Sequence, residues 1–278
     1  MSTAILSDRG LVMVSGEIAR DFLQGLFTCD MKSVGPDSPA FGALLTPQGK
    51  ILFDFLVFEK DDKFFLDCRR DQAGELTKRL TFYKLRAAVD IENVSKNQDV
   101  IAGWGDDEVA IGAQPDPRIG ALGWRMIAPA GEVSTNSDVN SWHAHRIALG
   151  IPEGNLDYAF GDAFPHEANM DLLNGVSFSK GCYVGQEVVS RMEHRGTART
   201  RTIAVSLDGD APAPGTEIRA GEKAVGTLGS AANGRAVAMI RTDRVKSALG
   251  EGLVLSAGET AITPATIDWA DFGLSGDA

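Results

Sequence analysis

The most informative stretch of this chain is residues 177–201, which read SFSKGCYVGQEVVSRMEHRGTARTR. The stretch holds one cysteine, three glycines, a Gln186-Glu187 pair, and five cationic side chains against two acidic ones. Its local charge is therefore positive, whereas the whole chain carries a formal net charge of −11. This reversal of sign is compatible with a local pocket for a small anion.

Length and composition predict a globular protein with at least two folding units, since the chain has 278 residues of which 44% are hydrophobic and 23% charged. The three cysteines are few and far apart, which favours a reducing compartment over a disulfide framework. Neither a signal peptide nor a membrane-spanning run is recognised, so a cytoplasmic protein without membrane contact is expected. The acidic balance disfavours general binding to nucleic acid, and direct tRNA binding is not expected.

Hydrophobic periodicity predicts α+β layers before residue 200. Runs at 40–45 and 51–58 read as a hairpin, followed by strands at 64–68 and 87–94 and short strands within 99–128. Three helices are predicted, with Ser15, Asp71 and Asp138 as their N-cap residues.

A change of composition after residue 200 marks a second unit. Short apolar pieces alternate there with glycines and prolines, and Asn233-Gly234 is typical of a tight hairpin. The chain is therefore divided into an α+β region at 1–200 and a small antiparallel β-barrel at 201–278.

Cys182 lies between Gly181 and an aromatic residue, with Lys180 and Arg191 nearby. A thiol in such cationic surroundings can serve as a nucleophile, a redox centre or a metal ligand. A buried cysteine without chemistry is the other interpretation of the same spacing. Cys29 and Cys68 are predicted to lie in the core, and no resident metal site is predicted, because metal-binding cysteines come in closely spaced pairs.

The remaining candidates give weaker signals. His143 and His145 point to different faces of one predicted helix, which makes them a poor pair of metal ligands. His166 and His194 are isolated, and the glycines around Cys182 fit neither a P-loop nor a dinucleotide-binding motif.

Gln186 and Glu187 can pair donors and acceptors with a heterocycle, and Arg191 or Arg195 can face a carboxylate in a bidentate manner. The alternative is a helix start whose charges are only solvated.

Residues 180–191 carry a pattern, KGCYxGQExxxR, that resembles the signature of the YgfZ family. This family of folate-binding proteins is related to the aminomethyltransferase (T-protein) of the glycine cleavage system. Further segments resemble its other motifs, and the glycine-rich tail resembles its C-terminal barrel. These segments are residues 22–30, 45–50, 174–178 and 192–196.

The resemblance implies an aminomethyltransferase-like α+β fold, a three-lobed ring of two intertwined lobes and a C-terminal barrel around a folate channel. It implies a tetrahydrofolate-binding factor that assists assembly or repair of iron–sulfur enzymes, including [4Fe–4S], radical-SAM and tRNA-modifying enzymes. Cys182 would be the functional residue, with a role as transient cluster ligand or redox thiol left open, and iron–sulfur proteins would be the partners. The folate-binding residues would be Lys180, Gly181, Tyr183, Gln186, Glu187 and Arg191.

Two other functions are weighed against this one. The first is an aminomethyltransferase-like enzyme that transfers a one-carbon unit to tetrahydrofolate. The glutamate of that enzyme's Arg-x-Glu-x-Gly motif is replaced here by Ala148, within residues 146–150, so a maturation factor is expected rather than a classical aminomethyltransferase. An RNA-binding adaptor that uses the basic segment 191–201 is the second, and the acidity of the chain argues against it.

Overall fold

The structure, a computed structural model, describes residues 1–105, 109–196 and 198–274. Two compact units share the chain: unit 1 comprises Met1–Trp142 and Leu173–Val188, and unit 2 comprises His143–Leu172 and Val189–Ala278. Each unit is thus built from two separate segments. The two-domain division at residue 200 stays a prediction. The predictions for 99–128, 191–201 and 201–278 include residues 106–108, 197 and 275–278, which lie outside the described residues.

Unit 1 is an α+β unit with two antiparallel sheets among the described residues. Its strands are β1 (Ser2–Ile5), β2 (Arg9–Ser15), β3 (Ala40–Leu45), β4 (Ile51–Lys60), β5 (Lys63–Arg69), β6 (Asp90–Asn93), β7 (Gln98–Trp104), β8 (Gln114–Pro115) and β9 (Trp124–Pro129). Helices α1 (Ala19–Gln24) and α2 (Ala73–Lys84) precede β3 and β6, and a 3-10 turn occupies Gly120–Leu122. The strand orders are β3-β4-β5-β2-β6 and β1-β7-β9-β8.

The core of unit 1 lies on one face of the five-stranded sheet. Alternate residues of β2, β4 and β5 point to this face, where Leu23 of α1 and Leu76 and Leu80 of α2 cover them. The predicted hairpin is confirmed, since β3 and β4 pair in antiparallel register from Ala40 opposite Val57.

The other face of the same sheet carries a buried ionic cluster, because Asp67 alternates with the core residues of β5. Arg9 Nε lies 2.6 Å from Asp67 Oδ1, and Arg125 of β9 lies 3.8 Å from Asp67 Oδ2 and 3.5 Å from Asp116 Oδ2. Arg118 donates two hydrogen bonds to Asp116, at 2.9 and 2.7 Å. Burial opposes ionisation of Asp116, but the two arginines outweigh it and hold the pKa of this carboxyl below its usual range. Charged side chains thus link the two sheets.

Unit 2 contains the C-terminal barrel. Its strands are β10 (Thr200–Asp208), β11 (Glu217–Ala220), β12 (Lys223–Ala232), β13 (Arg235–Arg241), β14 (Leu255–Ala257) and β15 (Thr260–Pro264). They close in the order β10-β13-β12-β11-β14-β15, with β10 also pairing with β15. The predicted hairpin turn at Asn233-Gly234 is confirmed, since both residues have positive φ, 52° and 72°.

Three further helices complete the described secondary structure: α3 (Val139–Ala148), α4 (Gln186–Arg195) and α5 (Thr242–Gly250). None of the helices in the described residues has both the length and the apolar character that crossing a bilayer requires. The α+β class and the closed C-terminal barrel predicted from the sequence are confirmed.

One of the three predicted helix caps is correct. Asp138 Oδ1 accepts a hydrogen bond of 2.8 Å from the backbone of Ser141, and this bond lowers the pKa of the carboxyl. Ser15 is not a cap, because it pairs with Asp90 in the sheet and α1 begins only at Ala19.

Asp71 is not a cap either, since its carboxylate accepts from Arg69 at 3.2 Å and Gln72 precedes α2. The strand predicted at 87–94 is shorter than expected, because only Asp90–Asn93 pairs with β2.

Replacing Asp67 with Asn should destabilise unit 1 strongly, because the buried Arg9 and Arg125 would both lose the charge of this carboxylate. We expect a loss of about 3–5 kcal/mol in the free energy of unfolding, measured by urea denaturation. Asp71→Asn is the control, since the Asp71 side chain is 55% exposed and pairs with Arg69 at the surface; it should lose less than about 1 kcal/mol. Equal losses in both variants would contradict the role of the buried cluster.

Candidate functional site

The loop that carries Cys182 is joined to the segment following α1 by hydrogen bonds within unit 1. The backbone of Ser177 donates to the carbonyl oxygen of Thr28 at 2.9 Å. The Thr28 hydroxyl donates in turn to the carbonyl oxygen of Gly175 at 2.6 Å. Two segments that are far apart in sequence therefore form one local structure, and both belong to motifs quoted above.

Lys180 is the centre of this structure. Its ammonium donates hydrogen bonds to the carbonyl oxygens of Gln24, Phe27 and Cys29, at 2.8, 2.6 and 2.7 Å. Gln24 is the last residue of α1, and carbonyl groups at a helix C-terminus have no partner within the helix. All three protons of the ammonium are thus used inside the protein, and burial lowers its pKa.

The loop has two buried side chains, Lys180 and Tyr183, on either side of two exposed residues. Tyr183 is buried, burial raises its pKa to about 12, and its ring centroid lies 5.2 Å from Lys180 Nζ. Gly181 and Cys182 between them are exposed. Of the six residues predicted to bind folate, Lys180 and Tyr183 therefore face the protein interior.

The loop ends against the turn of the β3–β4 hairpin. Gly185 has φ of +81°, and a Cβ at this position would lie 2.5 Å from the carbonyl oxygen of Thr46 and 3.1 Å from the Cα of Gly49. Only glycine fits so close an approach of two backbones. The motif at 45–50 and the motif at 180–191 are thereby brought into contact.

Helix α4 begins directly after Gly185 and carries the other predicted ligand-binding side chains. Gln186 is half-buried, Glu187 and Arg191 are exposed, and the latter two stand four residues apart on one face of the helix. The structure thus places an amide, a carboxylate and a guanidinium at the start of α4.

The other two cysteines are buried, as predicted. Burial raises the pKa of Cys29 and that of Cys68 to about 12 each, so both thiols are protonated at neutral pH. Cys182 is the exposed one of the three.

Arg146 of the Arg-x-Glu-x-Gly comparison has a structural role in unit 2. The guanidinium of Arg146 is buried and donates to Asp157 Oδ2 at 2.7 Å, to the carbonyl oxygen of Ile151 at 3.0 Å and to Ser230 Oγ at 2.9 Å. Its Nε also donates to His143 Nδ1 at 2.8 Å, in keeping with the structural role expected of that histidine. Ala148, at the position of the missing acid, is exposed at the end of α3.

A second polar group in unit 2 was missed by sequence reasoning. His166 Nε2 lies 3.1 Å from Glu193 Oε2, and Asp171 lies close enough for the three residues to face one ion. Both carboxylate oxygens of Asp171 already accept from Arg201, at 2.7 and 2.9 Å. We therefore regard this group as an ion-paired structural cluster. No spacing in the sequence relates His166 to Glu193, which lie 27 positions apart.

Comparison with known proteins shows the family to which this chain belongs. The C-terminal beta-barrel domain of CAF17 matches residues 199–272. The mitochondrial iron–sulfur cluster assembly factor IBA57 of Mus musculus is 30% identical, over 95% of this chain and 84% of that protein. The chain belongs to the IBA57 family.

Two other relatives extend the comparison. The human IBA57 protein is 29% identical over 95% of the chain. The IBA57 homologue of Neurospora crassa is 33% identical, but the match spans only 54% of its length, so this chain corresponds to about half of that fungal relative.

The fold is that of an aminomethyltransferase. The glycine cleavage system aminomethyltransferase T of Bartonella henselae superposes with a TM-score of 0.74 over 96% of this chain and 86% of its own, at 15% identity. The predicted fold class is thus confirmed.

Two expectations need correction. The YgfZ resemblance is confirmed only at the level of the wider family, because the matched relatives are IBA57 proteins. The expected cytoplasmic location is wrong, since these relatives are mitochondrial. Cysteine usage indicates a reducing compartment but does not distinguish one such compartment from another.

Replacing Lys180 with Met should loosen the Cys182 loop, because three carbonyl groups, two of them in buried hydrogen bonds, would lose this donor. We expect a loss of about 2–4 kcal/mol in stability and faster protease cleavage within residues 177–185. Lys78→Met is the control, as Lys78 forms an exposed ion pair with Glu75. An unchanged cleavage rate in Lys180→Met would show that the ammonium does not hold the loop.

Proposed function

We propose that this IBA57-family protein is an iron–sulfur cluster assembly factor whose working group is the thiol of Cys182. One observation carries the proposal: Cys182 is exposed on a loop that Lys180 anchors, while Cys29 and Cys68 are buried and protonated. The names of the IBA57 relatives support the same activity.

A cluster that meets Cys182 would be cargo. Cys182 belongs to no group of three metal-ligating side chains within the residues that the structure describes. Iron–sulfur clusters are held by about four ligands, most of them cysteine thiolates. Cys182 would therefore give one thiolate, release its proton to solvent, and leave the remaining ligands to a partner iron–sulfur protein.

A redox role for Cys182 would need an external thiol. The pKa values of about 12 for Cys29 and Cys68 keep both as poor nucleophiles, because thiol–disulfide exchange proceeds through the thiolate. The proposal therefore favours the ligand role for Cys182 over an internal disulfide.

Tetrahydrofolate is the proposed cofactor, on the strength of the motif at 180–191. Gln186 and Glu187 would pair with the polar edge of the pterin, and Arg191 would meet a carboxylate of the glutamate tail. Because the ammonium of Lys180 is used by backbone carbonyls and Tyr183 is buried, we assign these two to the support of the loop. Folate contact is thus proposed at the start of α4.

Cys182→Ser should reduce the activity of a [4Fe–4S] client enzyme in cells to that of cells without the protein. The protein's own stability should stay within about 0.5 kcal/mol, because the side chain is exposed. Ser179→Ala, an exposed change in the same loop, serves as the control. Full client activity with Cys182→Ser would refute the role of this thiol.

Titration calorimetry with tetrahydrofolate tests the cofactor separately. We expect one molecule to bind, and Glu187→Gln and Arg191→Gln each to weaken binding about tenfold, which corresponds to about 1.4 kcal/mol. Lys246→Gln in the barrel unit should bind as the unaltered protein does. Absence of binding heat over a range of temperatures would exclude folate while leaving the thiol chemistry standing.

A further inference from the structure

Two large apolar side chains stand exposed at the C-terminal end of α2. Phe82 is 71% exposed and Leu85, which follows the last residue of the helix, is 88% exposed. They lie three positions apart in the sequence, one in the last turn of α2 and one directly after it. The core-facing side of α2 is supplied by Leu76 and Leu80, so the exposed pair is not required for the core of unit 1.

Leu85 combines an exposed side chain with a strained backbone conformation. Leu85 has φ of 47° and ψ of −101°, a region that favours glycine. A glycine after α2 would relieve the strain and remove the exposed apolar group together. Strained residues of this kind persist only where the surrounding structure holds them, and they cluster at ligand clamps and switch regions.

Charge around the pair is opposite in sign to that of the protein. Residues 76–89 contain four cationic side chains and no acidic one, in a chain of net charge −11. Lys78 and Lys84 are paired with Glu75 at 2.6 Å and with Asp90 at 3.9 Å. The exposed Arg79 and Arg86 flank the apolar pair, and we call Arg79, Phe82, Leu85 and Arg86 the α2 patch.

We propose that the α2 patch is the docking surface for an acidic segment of a partner protein, one that carries apolar side chains between carboxylates. Aromatic and arginine side chains are enriched at the energetic centres of protein interfaces, and the patch combines both. The proposal extends beyond the chemistry of Cys182 and does not depend on it.

Two other occupants fit the surface less well. A second copy of the chain in a two-fold contact would set arginines against arginines. An anionic membrane would attract the arginines but repel the exposed Asp90 and Glu92 of the neighbouring strand β6, and two apolar side chains anchor a bilayer weakly. A protein partner can complement both signs of charge.

Site-specific photo-crosslinking in cells of the source organism tests the proposal with the full chain. A crosslinking amino acid at position 82 or 85 should capture one partner through an acidic segment, and the same group at position 254 should not. Val254 is a suitable control because it is 69% exposed on unit 2.

The captured protein is then purified and titrated against variants. Phe82→Ser/Leu85→Ser and Arg79→Glu/Arg86→Glu should each raise Kd at least tenfold, and the second effect should shrink at high salt. Exchange of carboxylates for lysines in the captured segment should restore binding to Arg79→Glu/Arg86→Glu, whereas Val254→Ser should bind as the unaltered chain does.

Four results would overturn the proposal: capture no stronger than from position 254, capture of another copy of the chain, capture through a basic segment, or no rescue by the exchanged charges. Patch-dependent binding to vesicles of phosphatidylglycerol and phosphatidylcholine, without a protein partner, would assign the surface to a membrane instead. Because Cys182 is unaltered in these variants, failure here leaves the proposed cluster chemistry untouched.

Discussion

The ammonium of Lys180, bonded to one carbonyl oxygen at the end of α1 and to two in the segment that follows, is the interaction on which the candidate site depends. It satisfies a helix-end acceptor that has no partner within the helix, and it joins residues 151 positions apart in sequence. The loop is anchored at both Lys180 and Tyr183, which are buried, and Cys182 between them is exposed. The contact of Gly185 with the hairpin turn then sets where α4 begins.

The fold of this protein does not by itself assign a reaction to it. The fold is shared with an aminomethyltransferase at 15% identity, and a shared fold does not imply a shared reaction. Arg146 of the compared motif is kept in a buried structural network, whereas Ala148, at the position of the motif's acid, is exposed at the end of α3.

Each unit contains buried ion pairs that link separate elements of its structure. Arg9, Asp67 and Arg125 link the two sheets of unit 1, and Arg146 with Asp157 links α3 to β12 of unit 2 through Ser230. Such groups are strongly destabilising when unpaired, so they favour one register and one packing over others. The exposed cations of the α2 patch lack that function and are available for recognition.

Local sequence was sufficient for features whose interactions are local. The β3–β4 hairpin, the Asp138 cap and the Asn233-Gly234 turn were predicted correctly because neighbouring residues supply their hydrogen bonds. The signature at 180–191 is also local, and it is sufficient to indicate the wider family and its fold. Ser15 and Asp71 failed as caps because a strand partner and Arg69 compete for them.

Tertiary structure decided which way the motif residues face. The ammonium of Lys180, a predicted cofactor-binding residue, bonds to carbonyl groups of α1 and of the segment after it, and the group of His166, Asp171 and Glu193 had no sequence signal. The exposure of Phe82 and Leu85 likewise could not be read from helical spacing alone. A sequence motif shows which residue types occur together. The direction in which each side chain points is determined by hydrogen bonds between segments that are distant in sequence, and these bonds form only when the chain folds.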